Sequence, residues 1–256
     1  MNLYMDTTLA KKYKSNTQKA RVITEKWTHD NIYCIRCGNK KIEKYENNKP
    51  VADFYCPHCK SEYELKSHAG LFRKKIVDGA YDTMITRITS NNNPDLFGME
   101  YNHVNYCIDN FFVIPKYFFT VDIIEKRKPL GPMARRAGWV GCNILLTEIP
   151  SNGCIYLIRH GKEIDYQLVI NKLQRANFLE EKNIAKRGWL MDVLRCVDKI
   201  KTNEFTLSDI YNFEDELHAR HLGNQHIRDK IRQQLQVLRD RGYIEFLSRG
   251  HYRKID

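Results

Sequence analysis

Asp53-Phe54-Tyr55-Cys56-Pro57-His58-Cys59-Lys60-Ser61-Glu62-Tyr63-Glu64-Leu65-Lys66 sets a cysteine pair between acidic residues. Its Cys56-Pro57-His58-Cys59 is the second of two CxxC pairs. The first, Cys34-Ile35-Arg36-Cys37, lies upstream with residues 38–55 between them. This is the ligand spacing of a four-thiolate zinc site, which makes Cys34, Cys37, Cys56 and Cys59 candidate ligands of a structural Zn2+. Four thiolates leave no open coordination position, so His58 is not needed and the ion acts as a staple. The segment is expected to form a hairpin with the second knuckle at its tip. A symmetric register pairs Asp53 with Glu62. Side chains alternate along a strand, so Asp53, Glu62, Glu64 and Lys66 then share one face. Leu65 turns into the core and keeps its carbonyl near the carboxylates. A slip of one residue would scatter the set, and a metal clip at the tip opposes that slip.

An Asp, a short gap and E-x-K are the types that metal-dependent hydrolysis of a phosphodiester requires. Two carboxylates on one face hold one or two Mg2+ ions, which prefer oxygen ligands and keep waters. The ion polarises the phosphate and lowers the pKa of a bound water. An ammonium beside it stabilises the developing negative charge. Asp53, Glu64 and Lys66 are therefore the candidate catalytic residues, with Asp53, Glu64 and Leu65 as candidate Mg2+ ligands. Short E-x-K strings also arise as ordinary surface salt bridges. The knuckle between Asp53 and Glu64 separates this one from that background. Glu62 falls outside the E-x-K and is read as a solvated neighbour.

The chain has 256 residues, enough for one large domain or two smaller ones. Its formal charge of +11 favours a polyanionic partner. Cys107, Cys142, Cys154 and Cys196 stand singly in apolar surroundings and read as buried free thiols. Thiolate–metal chemistry implies a reducing compartment. No apolar leader and no long uncharged apolar run is present, so the expectation is a cytoplasmic protein away from membranes.

Leu9 to Trp27 has the spacing of a basic amphipathic helix. Asn47-Asn48-Lys49-Pro50 is a turn signal. Asp78 to Ile88 reads as a helix ended by Asn91-Asn92-Asn93-Pro94. Phe111 to Ile114, Cys142 to Ile149 and Cys154 to Ile158 read as strands. Strands mixed with helices point to an α/β core. Glu180 to Gly188 is polar and suits a linker. After it come a helix over Trp189 to Ile200, a short helix opened by Thr206-Leu207-Ser208-Asp209, a third over Asn224 to Arg241, and two strands around Ser248-Arg249-Gly250. Three helices and a hairpin are the order of a winged helix. The expected division is 1–182 and 183–256.

Ile227, Ile231, Leu235 and Leu238 line one face of the third helix. Gln225, His226, Arg228, Arg232 and Gln233 lie off that face and are of types that reach base edges. Arg249 and Arg253 on the wing suit phosphates. In the first part, Arg135, Arg136 and Trp139 put two cations beside an aromatic that stacks on a base or wedges between base pairs. Core packing is the ordinary fate of such a Trp, as it is for Trp27 and Trp189.

The strings Tyr13-Lys14-Ser15-Asn16, Pro50-Val51-Ala52-Asp53-Phe54-Tyr55-Cys56, Glu64-Leu65-Lys66-Ser67, Ala134-Arg135-Arg136-Ala137-Gly138-Trp139 and Lys230-Ile231-Arg232-Gln233-Gln234-Leu235-Gln236 resemble the DpnI-type methyl-directed restriction endonucleases nearly end to end. The resemblance implies an α/β fold: a PD-(D/E)XK restriction-endonuclease-like core with a zinc-binding insertion, followed by a winged helix. It implies Mg2+-dependent cleavage of double-stranded DNA at GATC sites carrying N6-methyladenine, with Asp53, Glu64 and Lys66 catalytic and Trp139 at the methylated site. A monomer is expected, because two readers of DNA sit in one chain. One departure is that Pro50 stands three residues before Asp53 instead of next to it. Two other readings fit the residues: a non-enzymatic zinc-ribbon and winged-helix DNA-binding regulator, and a repair nuclease of the same fold.

Overall fold

The computed structural model describes residues 1–46, 52–180 and 184–255. The turn signal at Asn47 to Pro50 and residues 181–183 of the expected linker lie outside them. The chain divides into two compact units. The first is Met1–Thr147 with Gly153–Gln174, and the second is Glu148–Asn152 with Arg175–Asp256.

The first unit runs α1 (Asn16–Asn31), β1 (Glu43–Lys44), β2 (Phe54–Tyr55), β3 (Glu62–Ala69), β4 (Lys75–Ala80), α2 (Tyr81–Thr89), β5 (Asp95–Tyr101), β6 (Ile108–Ile114), β7 (Ile124–Lys126), β8 (Gly141–Leu145), β9 (Ile155–Arg159), β10 (Lys162–Glu163) and α3 (Tyr166–Ala176). A seven-stranded sheet has the order β1-β2-β3-β5-β6-β9-β10, and a smaller one the order β4-β8-β7. Among the described residues only β3 and β5 pair in parallel within the large sheet, with Lys66 level with Gly98. Such a pair needs a crossover, and β4 with α2 supply it. Trp27 of α1, and Val169 and Leu173 of α3, pack with Phe54, Tyr63, Phe97, Phe111, Val113 and Leu157 in one core cluster. Burying aromatics of this size dominates the energetics of that layer. Trp27 is buried as expected.

Several sequence expectations are corrected. The helix expected over Leu9 to Trp27 is broken: a single 3-10 turn covers Thr8–Lys12, Tyr13 and Ser15 are extended, and α1 starts at Asn16 and runs beyond Trp27. The segment from Asp78 to Ala80 is strand, with Ile76 and Asp78 buried and Lys75, Val77 and Gly79 exposed, so the helix begins only at Tyr81. The pairing with β8 holds Asp78 there. The strand expected from Cys142 to Ile149 ends at Leu145, where a 3-10 turn begins. The hairpin register also differs. Phe54 faces Tyr63 and Tyr55 faces Glu62, a shift of two residues from the symmetric pairing. The turn is asymmetric because Lys60, after the second knuckle cysteine, adopts a left-handed φ of 63°. A shift of two preserves the faces, so the expected grouping of Asp53, Glu64 and Lys66 survives the change.

The second unit contains α4 (Ile184–Lys199), β11 (Glu204–Thr206), α5 (Leu207–Tyr211), α6 (Glu214–Arg220), α7 (Ile227–Asp240), β12 (Ile244–Ser248) and β13 (His251–Lys254). The stretch from Ile184 to Gly188, expected as linker, is the first turns of α4. Thr206 caps α5 reciprocally with Asp209, as its sequence suggests. The short second helix is in fact two, interrupted around Phe213. Ile227, Ile231, Leu235 and Leu238 of α7 are buried with Trp189, Leu190, Val193 and Val197 of α4. The strands form a β11-β13-β12 sheet whose last two members are the wing.

Candidate active site and metal centre

The two CxxC segments fold into matching knuckles. Gly38 N–H donates to the Cys34 carbonyl (2.9 Å) and Lys60 N–H to the Cys56 carbonyl (3.0 Å). Cys37 N–H points at Cys34 Sγ and Cys59 N–H at Cys56 Sγ, each at 3.5 Å. The four sulfurs lie within 4.8 Å of one another, with Cys34–Cys59 at 3.5 Å and Cys37–Cys56 at 3.6 Å. A tetrahedral zinc with Zn–S bonds of about 2.3 Å puts its sulfurs about 3.8 Å apart, so this cluster fits the ion. Burial pushes the Cys34 and Cys37 thiols up, whereas at Cys59 the Ser61 hydroxyl and N–H outweigh burial and lower the thiol to about 7.

The knuckles are tied directly to the strand that carries the E-x-K. The buried Tyr63 hydroxyl lies 3.0 Å from Cys34 Sγ, and its ring stacks on Phe97 with centroids 4.6 Å apart. Arg36, inside the first knuckle, grips Asp95 at the start of β5 with two hydrogen bonds of 2.8 and 2.7 Å. Bidentate geometry makes this a strong pair. Nothing in the spacing of the cysteines announces either contact.

Asp53 precedes β2. Its N–H donates to the Tyr63 carbonyl (2.9 Å), and its Oδ2 accepts the Leu65 N–H (2.8 Å). Asp53 is thus brought alongside Glu64. The observed contact of Leu65 with this carboxylate is made by its N–H. Burial raises the Asp53 carboxyl, with the Leu65 hydrogen bond working against it. Glu64 is pushed up to about 7 by burial, and the charges of Asp78 and Asp53 add to this against the pull of Lys66. Lys66 Nζ lies 2.6 Å from Glu64 Oε1 and 2.5 Å from Asp78 Oδ1. These two carboxylates raise the Lys66 ammonium well above its ordinary value although burial opposes them.

Asp78, Glu25 and Arg87 were not singled out from the sequence. Glu25 on α1 is buried, holds Arg21 and Lys44 at 2.6 Å each, and adds to the field that raises Asp53. Arg87 on α2 lines a 240 Å³ cavity with Glu64, Lys66 and Asp78, and its buried Nε has no hydrogen-bond partner. The alternation of Ile76 and Asp78 is the one signal that could have placed Asp78 on an inward face.

Arg135 and Arg136 are exposed on the loop between β7 and β8. Trp139 is half-buried beneath the Arg136 guanidinium, 4.5 Å from its ring centroid. The same ring sits where a side chain on Gly141 would be, 2.8 Å from that position. In the second unit Gln225, His226, Arg228, Arg232 and Gln233 are exposed. Arg228 pairs with Glu214 (2.8 Å), Arg232 with Asp229, and Gln233 accepts from Lys230 (2.7 Å). Arg249 is exposed at the wing turn. Arg253 lies between Glu204 (2.8 Å) and Glu245 (3.2 Å). Cys142 and Cys196 are buried, whereas Cys107 and Cys154 are only partly so. Among the described residues no helix is long and apolar enough to cross a membrane.

A family model described as DpnI, the Dam-replacing family, matches residues 1–182, and a second, the Dam-replacing HTH domain, matches residues 185–254.

Proposed function

Because this chain belongs to the Dam-replacing family, we propose that it is a site-specific, methyl-dependent deoxyribonuclease that hydrolyses double-stranded DNA at GATC sites bearing N6-methyladenine. The nuclease activity is assigned to 1–182 and a winged-helix DNA reader to 183–256, acting as a monomer in the cytoplasm. The helix-turn-helix match supports DNA as the partner. The observation that carries the reading is the meeting of Asp53 and Glu64 across paired strands with Lys66 two residues on, in a basic protein.

The donor set suits a hard divalent cation. Burial raises both carboxyls, and the charge of Asp53 adds to the rise at Glu64, a cost that a bound cation relieves. Asp53, Glu64 and the Leu65 carbonyl would hold Mg2+, which supplies charge neutralisation at the phosphate and an activated water. Lys66 keeps its charge and offers N–H donors to the phosphate oxygens. Zn2+ on the four cysteines fixes the strand pair. Arg135, Arg136 and Trp139 face the methylated site from the first domain. From the second, Gln225, His226, Arg228, Arg232, Gln233, Arg249 and Arg253 contact the duplex, with Arg228, Arg232 and Arg253 exchanging acidic partners for phosphate or base edges.

A paired digestion tests this. With Mg2+, plasmid methylated at GATC adenines should give fragments and unmethylated plasmid should stay intact. Equal cutting of both would reject methyl dependence, scattered cutting would favour a repair nuclease, and no cutting of either would reject hydrolysis.

A further inference from the structure

We propose that Asp78 is a positioning residue for Lys66, anchoring the ammonium group from a second sheet so that it stays at the reacting phosphate without depending on Glu64. This rests on the nuclease reading and deepens it.

Asp78 comes from β4, in the β4-β8-β7 sheet, whereas Glu64 and Lys66 lie on β3 of the large sheet. Its side chain is only 4% exposed. One oxygen, Oδ1, accepts both the Gly79 N–H (2.6 Å) and Lys66 Nζ (2.5 Å). The other, Oδ2, is buried and accepts no hydrogen bond. A buried carboxylate is costly unless paired, and an apolar residue of similar volume is often as stable there. Stability alone therefore gives no reason for an acid at this inward-facing position.

The two partners of Lys66 are not equivalent. Glu64 is also a proposed ligand of the divalent ion, and a carboxylate committed to a metal is a weaker partner for an ammonium. Asp78 carries no such second duty. Asp78 lies on a different sheet from Glu64, and its Oδ1 is already taken by the Gly79 N–H and the Lys66 ammonium. It reaches the reaction through Lys66. The lysine stem is long and rotatable, and an ammonium with three donors can keep one on Asp78 while turning others to substrate. The spare Oδ2 gives the carboxylate a further acceptor for that hold.

The test is a double-mutant cycle of Asp78→Asn and Lys66→Met, read in two ways. In single-turnover cleavage of methylated DNA with Mg2+, Asp78→Asn is expected to lower the rate about 100-fold, the effect of a group misplaced by an ångström. KM and metal-free DNA affinity should stay within about twofold. In the Lys66→Met protein, Asp78→Asn should cause no further loss. In metal-free melting, Asp78→Asn should lower the Tm of the otherwise native chain but raise it in the Lys66→Met background, where the carboxylate has become an unpaired buried charge. Losses that multiply, a KM that rises as the rate falls, an unchanged rate, or a Tm shift of the same sign in both backgrounds would each overturn the proposal. Should Asp78→Asn fail to fold, Asp78→Glu keeps the charge but displaces it. A rate at least tenfold down at constant KM then supports the anchor, and an unchanged rate refutes it. If the native chain cuts no DNA the nuclease reading fails, and the melting cycle still reports whether Asp78 and Lys66 are coupled.

Discussion

Two antiparallel ribbons in this molecule each place one cation between two carboxylates. In the β2–β3 ribbon Lys66 stands between Glu64 and Asp78. In the β12–β13 ribbon Arg253 stands between Glu245 and Glu204. The first three side chains are 23%, 18% and 4% exposed, and the second three 44%, 53% and 47%. Charge pattern alone therefore does not make a reactive site. In water such a triad is screened and contributes little. Under the sheet the same charges perturb one another strongly, and Glu64 is pushed up to about 7. The ribbons also differ in what fixes them: thiolate knuckles and the Tyr63–Cys34 contact in one, a glycine turn at Gly250 (φ 73°) in the other.

Removing the metal from the cysteine cluster should separate the two ribbons most strongly. Structural zinc sites typically contribute about 10–16 kcal/mol of apparent binding free energy to folding. Chelation, or Cys34→Ser, is expected to unfold the first ribbon while the second unit keeps its own core, with hydrogen exchange reporting protection lost on β2 and β3 and kept on β12 and β13. Equal protection on all four strands after zinc removal would show that the knuckles are ornamental.

Next in size is the ammonium group. Lys66→Met should lower single-turnover cleavage about 10²–10³-fold, whereas Arg253→Met should leave the chemical step unchanged and act on DNA affinity and its salt dependence. Similar losses of rate in both variants would erase the distinction between the ribbons.

The third effect is on pH. A carboxyl raised in the folded state gives stability that is fully present below its ordinary value of 4.5 and is lost as pH rises through about 7. Without divalent ions, the Tm of the native chain should therefore fall across that window, and Glu64→Gln should flatten the fall. A flat native profile would mean that Glu64 is solvated like its exposed counterpart. The smallest effect is expected from Glu204→Gln, which removes one screened partner of Arg253 and should leave the Tm within error of the native value.

Much of this was legible in the sequence where chemistry and spacing are local. The CxxC pairs announce their own cluster, the E-x-K its own face, and Thr206 with Asp209 its own cap, because each depends on residues close together in the chain. The hairpin register was missed because one left-handed residue, Lys60, lengthens the turn, and propensity does not report that. Asp78 reads as helical in the sequence because Asp78 to Ile88 carries enough helical spacing to hide the alternation of Ile76 and Asp78. What fixes it as strand is its pairing with β8, more than sixty residues away. Glu25 and the Tyr63–Cys34 contact were invisible for the same reason: each is a meeting of distant segments.

If a cysteine-clamped strand pair gathers Asp53, Glu64 and Lys66 around one place for a divalent ion, anomalous diffraction from crystals soaked in Mn2+ will locate that place. The expected map has a manganese peak shared by the Asp53 and Glu64 carboxylates with Lys66 beside it. A map with no density between those two acids, in crystals whose cysteine cluster still holds zinc, would contradict the account.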